Sequence, residues 1–138
     1  MSTPTNPALT DVMLPLDQFA VVAPRTLFKV ALEEMRRFRL GVVCVAQDGK
    51  LQGVVTDGDI RRQLLTHQKP FSALFADDVS VHMTTAPLSI APGRSLADAV
   101  AMMEDSRVWD LPVVDADGQL LGLLHLHPVV KALMGTRT

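Results

Sequence analysis

The sequence predicts an α+β protein made of two β-α-β-β-α repeats packed sheet to sheet as a pseudo-twofold pair. Three observations carry that expectation. Pro24, Phe28, Ala31, Leu32 and Met35 recur as Pro92, Leu96, Ala99, Val100 and Met103, each pair 68 positions apart. Further on, Gly49 to Gly53 is answered by Gly118 to Gly122, and Leu64 by Leu133, now 69 apart. The change of spacing implies one extra residue in the second copy, expected in the turn between its helix and strand. Finally, 138 residues of which 48% are hydrophobic suffice for one domain, whereas a single copy of about sixty residues would bury too little alone.

Each element follows from its pattern. Val21 and Val22 form a short apolar run ended by Pro24, which suits a brief strand. Phe28, Ala31, Leu32 and Met35 fall at helical spacing, with Lys29, Glu33, Glu34 and Arg36 on the other face. Val42 to Val45 is an uninterrupted β-prone run, expected to be a strand covered on both faces. Asp48-Gly49 signals a hairpin whose return strand is Leu51 to Thr56, and Ile60 to Leu65 reads as a second helix. The second copy repeats the order with strand Leu88–Ile90, helix Ser95–Asp105, strand Leu111–Val114, turn Asp117-Gly118, strand Leu120–Leu124 and helix Val129–Leu133. The expected organisation is therefore a loose tail over residues 1–10, a first repeat over 11–65, a linker over 66–78, a second repeat over 79–134 and a short tail over 135–138.

Thirteen basic against fifteen acidic residues give a formal charge of -2, so there is no general attraction for nucleic acid or anionic lipid. Aromatics make up 4% of the chain and Tyr is absent, which leaves little for a base-stacking platform. No basic start precedes an apolar run, and no apolar stretch reaches the ~18 residues of a membrane span. A soluble, cytoplasmic protein is expected, with no membrane partner. Its one cysteine, Cys44, excludes an internal disulfide and sits in an apolar strand as a small core residue.

The repeat, with Pro, a small-residue helix ending in Met, a strand, Asp-Gly, a Gly-containing strand and a Thr-x-x-Asp helix start, resembles the CBS domain. From Asp11 to Met134 the chain is similar to one tandem CBS pair, a Bateman module with the α/β-type CBS fold. Asp11-Val12-Met13, the run Gly53 to Arg62 and Leu123-Leu124-His125-Leu126-His127 make it most like the C-terminal CBS pair of the arabinose 5-phosphate isomerase family. Similar Thr-Asp-Gly-Asp-Ile-Arg-Arg runs occur in CBS pairs attached to sugar nucleotidyltransferases. The resemblance implies a non-catalytic regulatory module without the isomerase domain it accompanies. It implies a homodimer as well, with a sugar-phosphate isomerase as the enzyme it modulates.

Thr56-Asp57-Gly58-Asp59 lies where a strand gives way to a helix. A first helical turn offers unpaired N–H groups to a phosphate, with the Thr56 hydroxyl beside it, and the Asp59 carboxylate can accept two hydrogen bonds from a ribose. In adenine-nucleotide-binding CBS modules the Thr and Asp of this motif take those roles. The same spacing is also a capping box that closes a helix start, and the two readings are compatible. Either Arg61 or Arg62 can face a phosphate, but adjacent helical positions diverge; Arg61 is the expected one. Asp57 opposes an anion, which favours a monophosphate or a nucleotide sugar. The expected ligand is AMP, ADP, ATP or a CMP-sugar, in a cleft lined by Val21, Val22, Val42, Val43, Thr56, Gly58 and Asp59.

In the second copy His125 and Pro128 stand at the places of Thr56 and Asp59, so the ribose acceptor is missing, although Pro is tolerated in a first helical turn. One competent site is expected. His125 can still meet an anion in the second cleft. Trp109 is expected to be buried in the core, with the second cleft and a dimer surface as alternatives. His125-x-His127 invites a metal reading, but two ligands are not a site; no cofactor, metal or catalytic residue is expected. His67 and His82 read as isolated surface or linker residues. A purely structural dimerisation module with empty clefts is the competing reading, and a small metal-dependent enzyme on His125 and His127 a third.

Overall fold

The computed structural model describes residues 7–66 and 70–135; His67 lies outside them. The chain runs through helix α1 (Leu9–Val12), strand β1 (Ala20–Val22), helix α2 (Phe28–Phe38), strands β2 (Val42–Gln47) and β3 (Lys50–Thr56) and helix α3 (Asp57–Thr66). Helices α4 (Phe71–Phe75) and α5 (Val79–His82) and strand β4 (Thr84–Thr85) follow. The second half is then helix α6 (Leu96–Ser106), strands β5 (Asp110–Val114) and β6 (Leu120–His125) and helix α7 (Leu126–Met134).

In the first half β1 runs parallel to β2, and the β2–β3 hairpin turns at Asp48 (φ 53°) and Gly49 (φ 80°), the paired left-handed residues that a type I′ turn requires. In the second half β5 and β6 form the corresponding hairpin with a longer loop over residues 115–119, in which Gly118 alone holds a positive φ (86°), and Ile90 bridges Val113 in parallel where a strand over Leu88–Ile90 was expected. Helices α2 and α6 both end on an arginine in the left-handed region, Arg39 and Arg107, 68 apart. Val45, paired with Gly53, and Val113, paired with Gly122, keep that spacing, whereas Gly49 and Gly118 do not. The extra residue of the second copy therefore lies in its hairpin, beyond the irregularity at Val113/Val114, and not between helix and strand.

Each sheet also borrows an edge from the other half. Strand β4 leads into the second repeat yet pairs with β3, and Leu14 leads into the first repeat yet pairs with Leu123 of β6 through bonds of 2.8 and 3.1 Å. A glycine sits under each crossing. A Cβ on Gly53 would meet the Thr84 carbonyl at 2.6 Å, and one on Gly122 the Leu14 carbonyl at 2.7 Å. Glycine in a strand interior marks such a close backbone approach. The first sheet is thus four-stranded, not three-stranded, and the halves interlock.

Three apolar clusters hold the fold. Phe28, Ala31, Val43, Val45 and Val55 fill the space between the first sheet and its helices, and Leu96, Ala99, Met103, Leu111 and Leu124 do so in the second half. Between the sheets, Val42, Cys44 and Val54 meet Leu120 and Leu123, which is the expected sheet-to-sheet seam. The boundaries move accordingly. Leu9, placed in a loose tail by the sequence, is buried in the second-half cluster. The expected linker over 66–78 contains α4, whose Leu74 is buried in the first-half cluster, and Asp77 accepts from the Phe28 amide at 2.8 Å.

Candidate functional site

Antiparallel pairing of Val42 with Thr56 brings the end of β3 to the start of β2, and α3 begins at once. The turn is closed by reciprocal bonds. Asp59 N–H donates to Thr56 Oγ1 at 3.2 Å, and Asp59 Oδ2 accepts from the Thr56 amide at 2.9 Å and the Thr56 hydroxyl at 3.1 Å. This is a capping box in geometry. Asp59 Oδ1 accepts from Arg62 Nη2 at 2.6 Å and from the Thr84 hydroxyl at 3.2 Å. Two acceptances on each oxygen occupy the whole lone-pair capacity of a carboxylate, and Asp59 is only 6% exposed. A ribose can engage it only in exchange for donors already in place.

Around this carboxylate, Gly58 leaves open space: a Cβ there would meet nothing nearer than Thr56 Oγ1 at 3.7 Å. Asp57 is exposed beside Gly41, whose carbonyl accepts its amide at 3.0 Å. The arginine that reaches Asp59 is Arg62, three residues along the helix, and Arg61 points to solvent. Sequence reasoning missed Thr84, because a two-residue strand carries no periodicity to announce it.

The four valines divide between two faces, because neighbouring strand residues point oppositely. Val42 faces the inter-sheet seam, and Val21 pairs with Cys44, so it shares that side. Val43 and Val22 point the other way, into the cluster beneath the helices. They cannot line a cleft between the repeats.

In the second half, His125 begins α7 at the place of Thr56 without capping it. Instead its Nδ1 lies 2.8 Å from Asp110 Oδ1. Asp110 stands where the first half has Val42, and burial raises its pKa, an effect the His125 hydrogen bond opposes and nearby Asp57 reinforces. His127 is exposed, and among the described residues no three His, Cys, Asp or Glu side chains are grouped to hold a metal ion.

Two further expectations are corrected. Trp109 is 69% exposed, beside Met103, Glu104 and Arg107 at the C-terminal end of α6. His82 is buried, with its Nε2 2.8 Å from Asp77 Oδ2 and its ring 4.7 Å from that of Phe28. Helix α5 packs under the first sheet, so a position that reads as linker becomes interior. Cys44 is buried as expected, and burial pushes its thiol up to about 12.

Comparison with known proteins agrees with this architecture. The CBS domain model matches residues 9–66 and 76–135. The arabinose 5-phosphate isomerase KdsD of Yersinia pestis is 31% identical over 125 residues, covering 90% of this chain and 37% of the isomerase. That of Pseudomonas aeruginosa is 37% identical over 103 residues, covering 74% and 30%. The chain thus spans about a third of the length of these relatives. Among solved structures, CBSX2 in complex with AMP superposes with a TM-score of 0.79 at 34% identity, over 92% of this chain and 96% of that one. CBSX2 from Arabidopsis thaliana superposes equally well at 33% identity. No helix among the described residues is long and apolar enough to cross a membrane. With both repeats matched by the CBS domain model over most of its length, the chain belongs to the CBS domain family as a tandem pair, a module of the regulatory kind.

Proposed function

We propose that this CBS pair is a non-catalytic sensor, acting in the cytoplasm as a homodimer, that binds an adenine nucleotide or a nucleotide sugar at the Thr56–Asp59 turn. AMP, ADP, ATP and CMP-sugars are the candidate ligands. The observation that carries the reading is the buried Asp59 carboxylate at a strand-to-helix turn beside the inter-repeat seam, in a chain similar over nearly its whole length to one solved with AMP. In this reading ribose hydroxyls take over Asp59 Oδ1 from Thr84 and Arg62, and Arg62 turns to the phosphate, for which guanidinium geometry is suited. The phosphate meets the Thr56 hydroxyl and the first turn of α3. Similarity to the isomerases supports a sugar-phosphate isomerase as the enzyme modulated.

Titration calorimetry with AMP, ADP, ATP and a CMP-sugar tests this. Saturable heat from at least one, lost in Asp59→Ala, is expected; no heat from any of them refutes the site. A second reading, a structural dimerisation module, is favoured by one observation: the four acceptor positions of Asp59 are already filled. It predicts a dimer whose thermal stability none of these compounds raises, whereas a ligand at ~100 times its dissociation constant adds ~2.7 kcal/mol.

A further inference from the structure

Beside the Thr56–Asp59 turn, ionisable groups of both repeats gather at one end of the inter-sheet seam. On the first repeat Asp57 opens α3, and its carboxylate lies back over Gly41, where an added Cβ would strike it. On the second, Asp110 at the start of β5 is paired across the hairpin with His125 at the end of β6, whose Nδ1 lies 2.8 Å from Asp110 Oδ1. The two sets act on each other. Burial raises the pKa of Asp110, the His125 bond opposes that rise, and the charge of Asp57 adds to it. Asp110 in turn acts on Cys44 of β2, whose thiol, pushed up to about 12 mainly by burial, stays neutral. Asp11 of α1, Arg61 of α3, Glu104 and Arg107 at the end of α6, and His127 and Lys131 of α7 make no hydrogen bond or ion pair with Asp57, Asp110 or His125 among the described residues. The His125 side chain is 27% exposed, and its Nε2 has no hydrogen-bond partner among these residues.

We propose that His125 makes binding at the Thr56–Asp59 turn proton-linked: an anionic ligand held by the first repeat is bound together with a proton taken up by the second. The inference rests on the nucleotide reading above and adds a regulation to it. A phosphate at the first turn of α3 brings negative charge beside Asp57, in a corner where Asp57 and Asp110 already oppose each other's charge. Arg62 answers that charge on the first repeat. On the second, His125 is the group that can, because imidazole is the side chain whose ordinary titration falls between about pH 5 and 8, and a nearby anion favours its charged form. Once charged, the ring still donates from Nδ1 to Asp110 and adds a positive charge to the corner. Linkage is reciprocal, so affinity for the anion falls as pH rises through the imidazole range.

Titration calorimetry of the full chain with AMP, in two buffers of different ionisation enthalpy, counts the protons taken up on binding. The parent should take up a fraction of a proton that His125→Gln does not. That variant keeps an N–H for Asp110 and cannot charge, and the titration of the phosphate itself is common to both. Relative to His125→Gln, the parent should gain about fivefold or more in affinity between about pH 8 and about pH 6, the low end for coupled sites. Asp57→Asn, at an exposed position, should bind AMP more tightly than the parent at the alkaline end, because an opposing charge is gone. AMP binding that is lost in Asp59→Ala, yet has the same pH profile and proton count in the parent and His125→Gln, overturns the linkage and leaves the site standing. No heat from AMP at either pH overturns the linkage, and if ADP, ATP and a CMP-sugar are silent as well, the site falls with it.

Discussion

The hydroxyl of Thr84, on the segment that leads into the second repeat, donates to Asp59 Oδ1 of the first repeat at 3.2 Å. This bond ties the candidate ribose acceptor to β4, and β4 is joined to α5 and the second half of the chain. A ligand that claims Oδ1 must displace Thr84, so occupancy and the position of the lead-in are linked. Ala86, two residues on, holds φ at 48°, a left-handed conformation that a non-glycine residue adopts at a cost. Removing the competing hydroxyl with Thr84→Val should therefore strengthen AMP binding, by up to about tenfold for a hydrogen bond to a charged group. Thr84→Ser should behave as the parent. Calorimetry showing equal affinity for all three would separate the lead-in from the site.

Asp59→Ala should lower stability even without ligand. It removes the acceptor of the capping box and strands the Thr84 and Arg62 donors, and loss of an N-terminal cap alone costs about 0.5 to 2 kcal/mol. Denaturant unfolding of the unliganded protein measures this, and an unchanged midpoint would mean that the cap contributes nothing.

The duplication, hairpins and helix faces were legible because period and turn chemistry are local properties. Phe28, Ala31 and Met35 are buried on α2 as their spacing required, and Asp48-Gly49 makes the turn its dipeptide announces. The Thr56–Asp59 cap was legible for the same reason. What escaped depends on contacts between distant segments. Leu9, Leu74 and His82 belong to stretches too short or too mixed to show a period, and packing against distant segments buries them: Leu9 in the second-half cluster, Leu74 in the first-half cluster and His82 against Phe28. Val22 and Val43 were grouped with their neighbours although pleating sends them to the opposite face. Gly53 and Gly122 were the available signal for the crossings, since a glycine at the same place in both copies suggests that backbone passes close by.

Gly53→Ala and Gly122→Ala should each be destabilising by about 1 to 3 kcal/mol, the range for an added methyl group in a packed site. Each new Cβ would meet a carbonyl of the crossing segment, Thr84 or Leu14. Gly93→Ala, where a Cβ meets nothing within 4 Å, is the control. Equal unfolding midpoints for all three variants would contradict the interlocked arrangement.

Acid should distinguish Asp110 from Asp110→Asn. Burial raises the pKa of Asp110 above its ordinary value of 3.8 despite the bond from His125. The folded state thus favours the protonated form: the stability this provides is fully present below the unfolded pKa and is lost as pH rises through the folded one. Asp110→Asn, neutral throughout, escapes that loss. Its stability relative to the parent should increase as pH rises from below 3.8 into the range just above it, as unfolding at a series of pH values will show. A constant difference would mean that Asp110 titrates alike in both states.

Cys44 should report whether the two sheets part. It lies in the seam with Val42, Val54, Leu120 and Leu123, and burial pushes its thiol up to about 12. Only the thiolate reacts with alkylating agents, so at mildly alkaline pH both the missing thiolate and the closed seam protect it. Labelling then has to wait for an opening that separates the repeats, and its rate measures the free energy of that opening. Modification should be slow in the native protein and fast in strong denaturant, and Gly122→Ala should accelerate the native rate by loosening the crossing over β6. Rapid labelling of the native parent would mean that the seam opens readily, and a module that transmits ligand occupancy through a rigid pair of sheets could not be built on it.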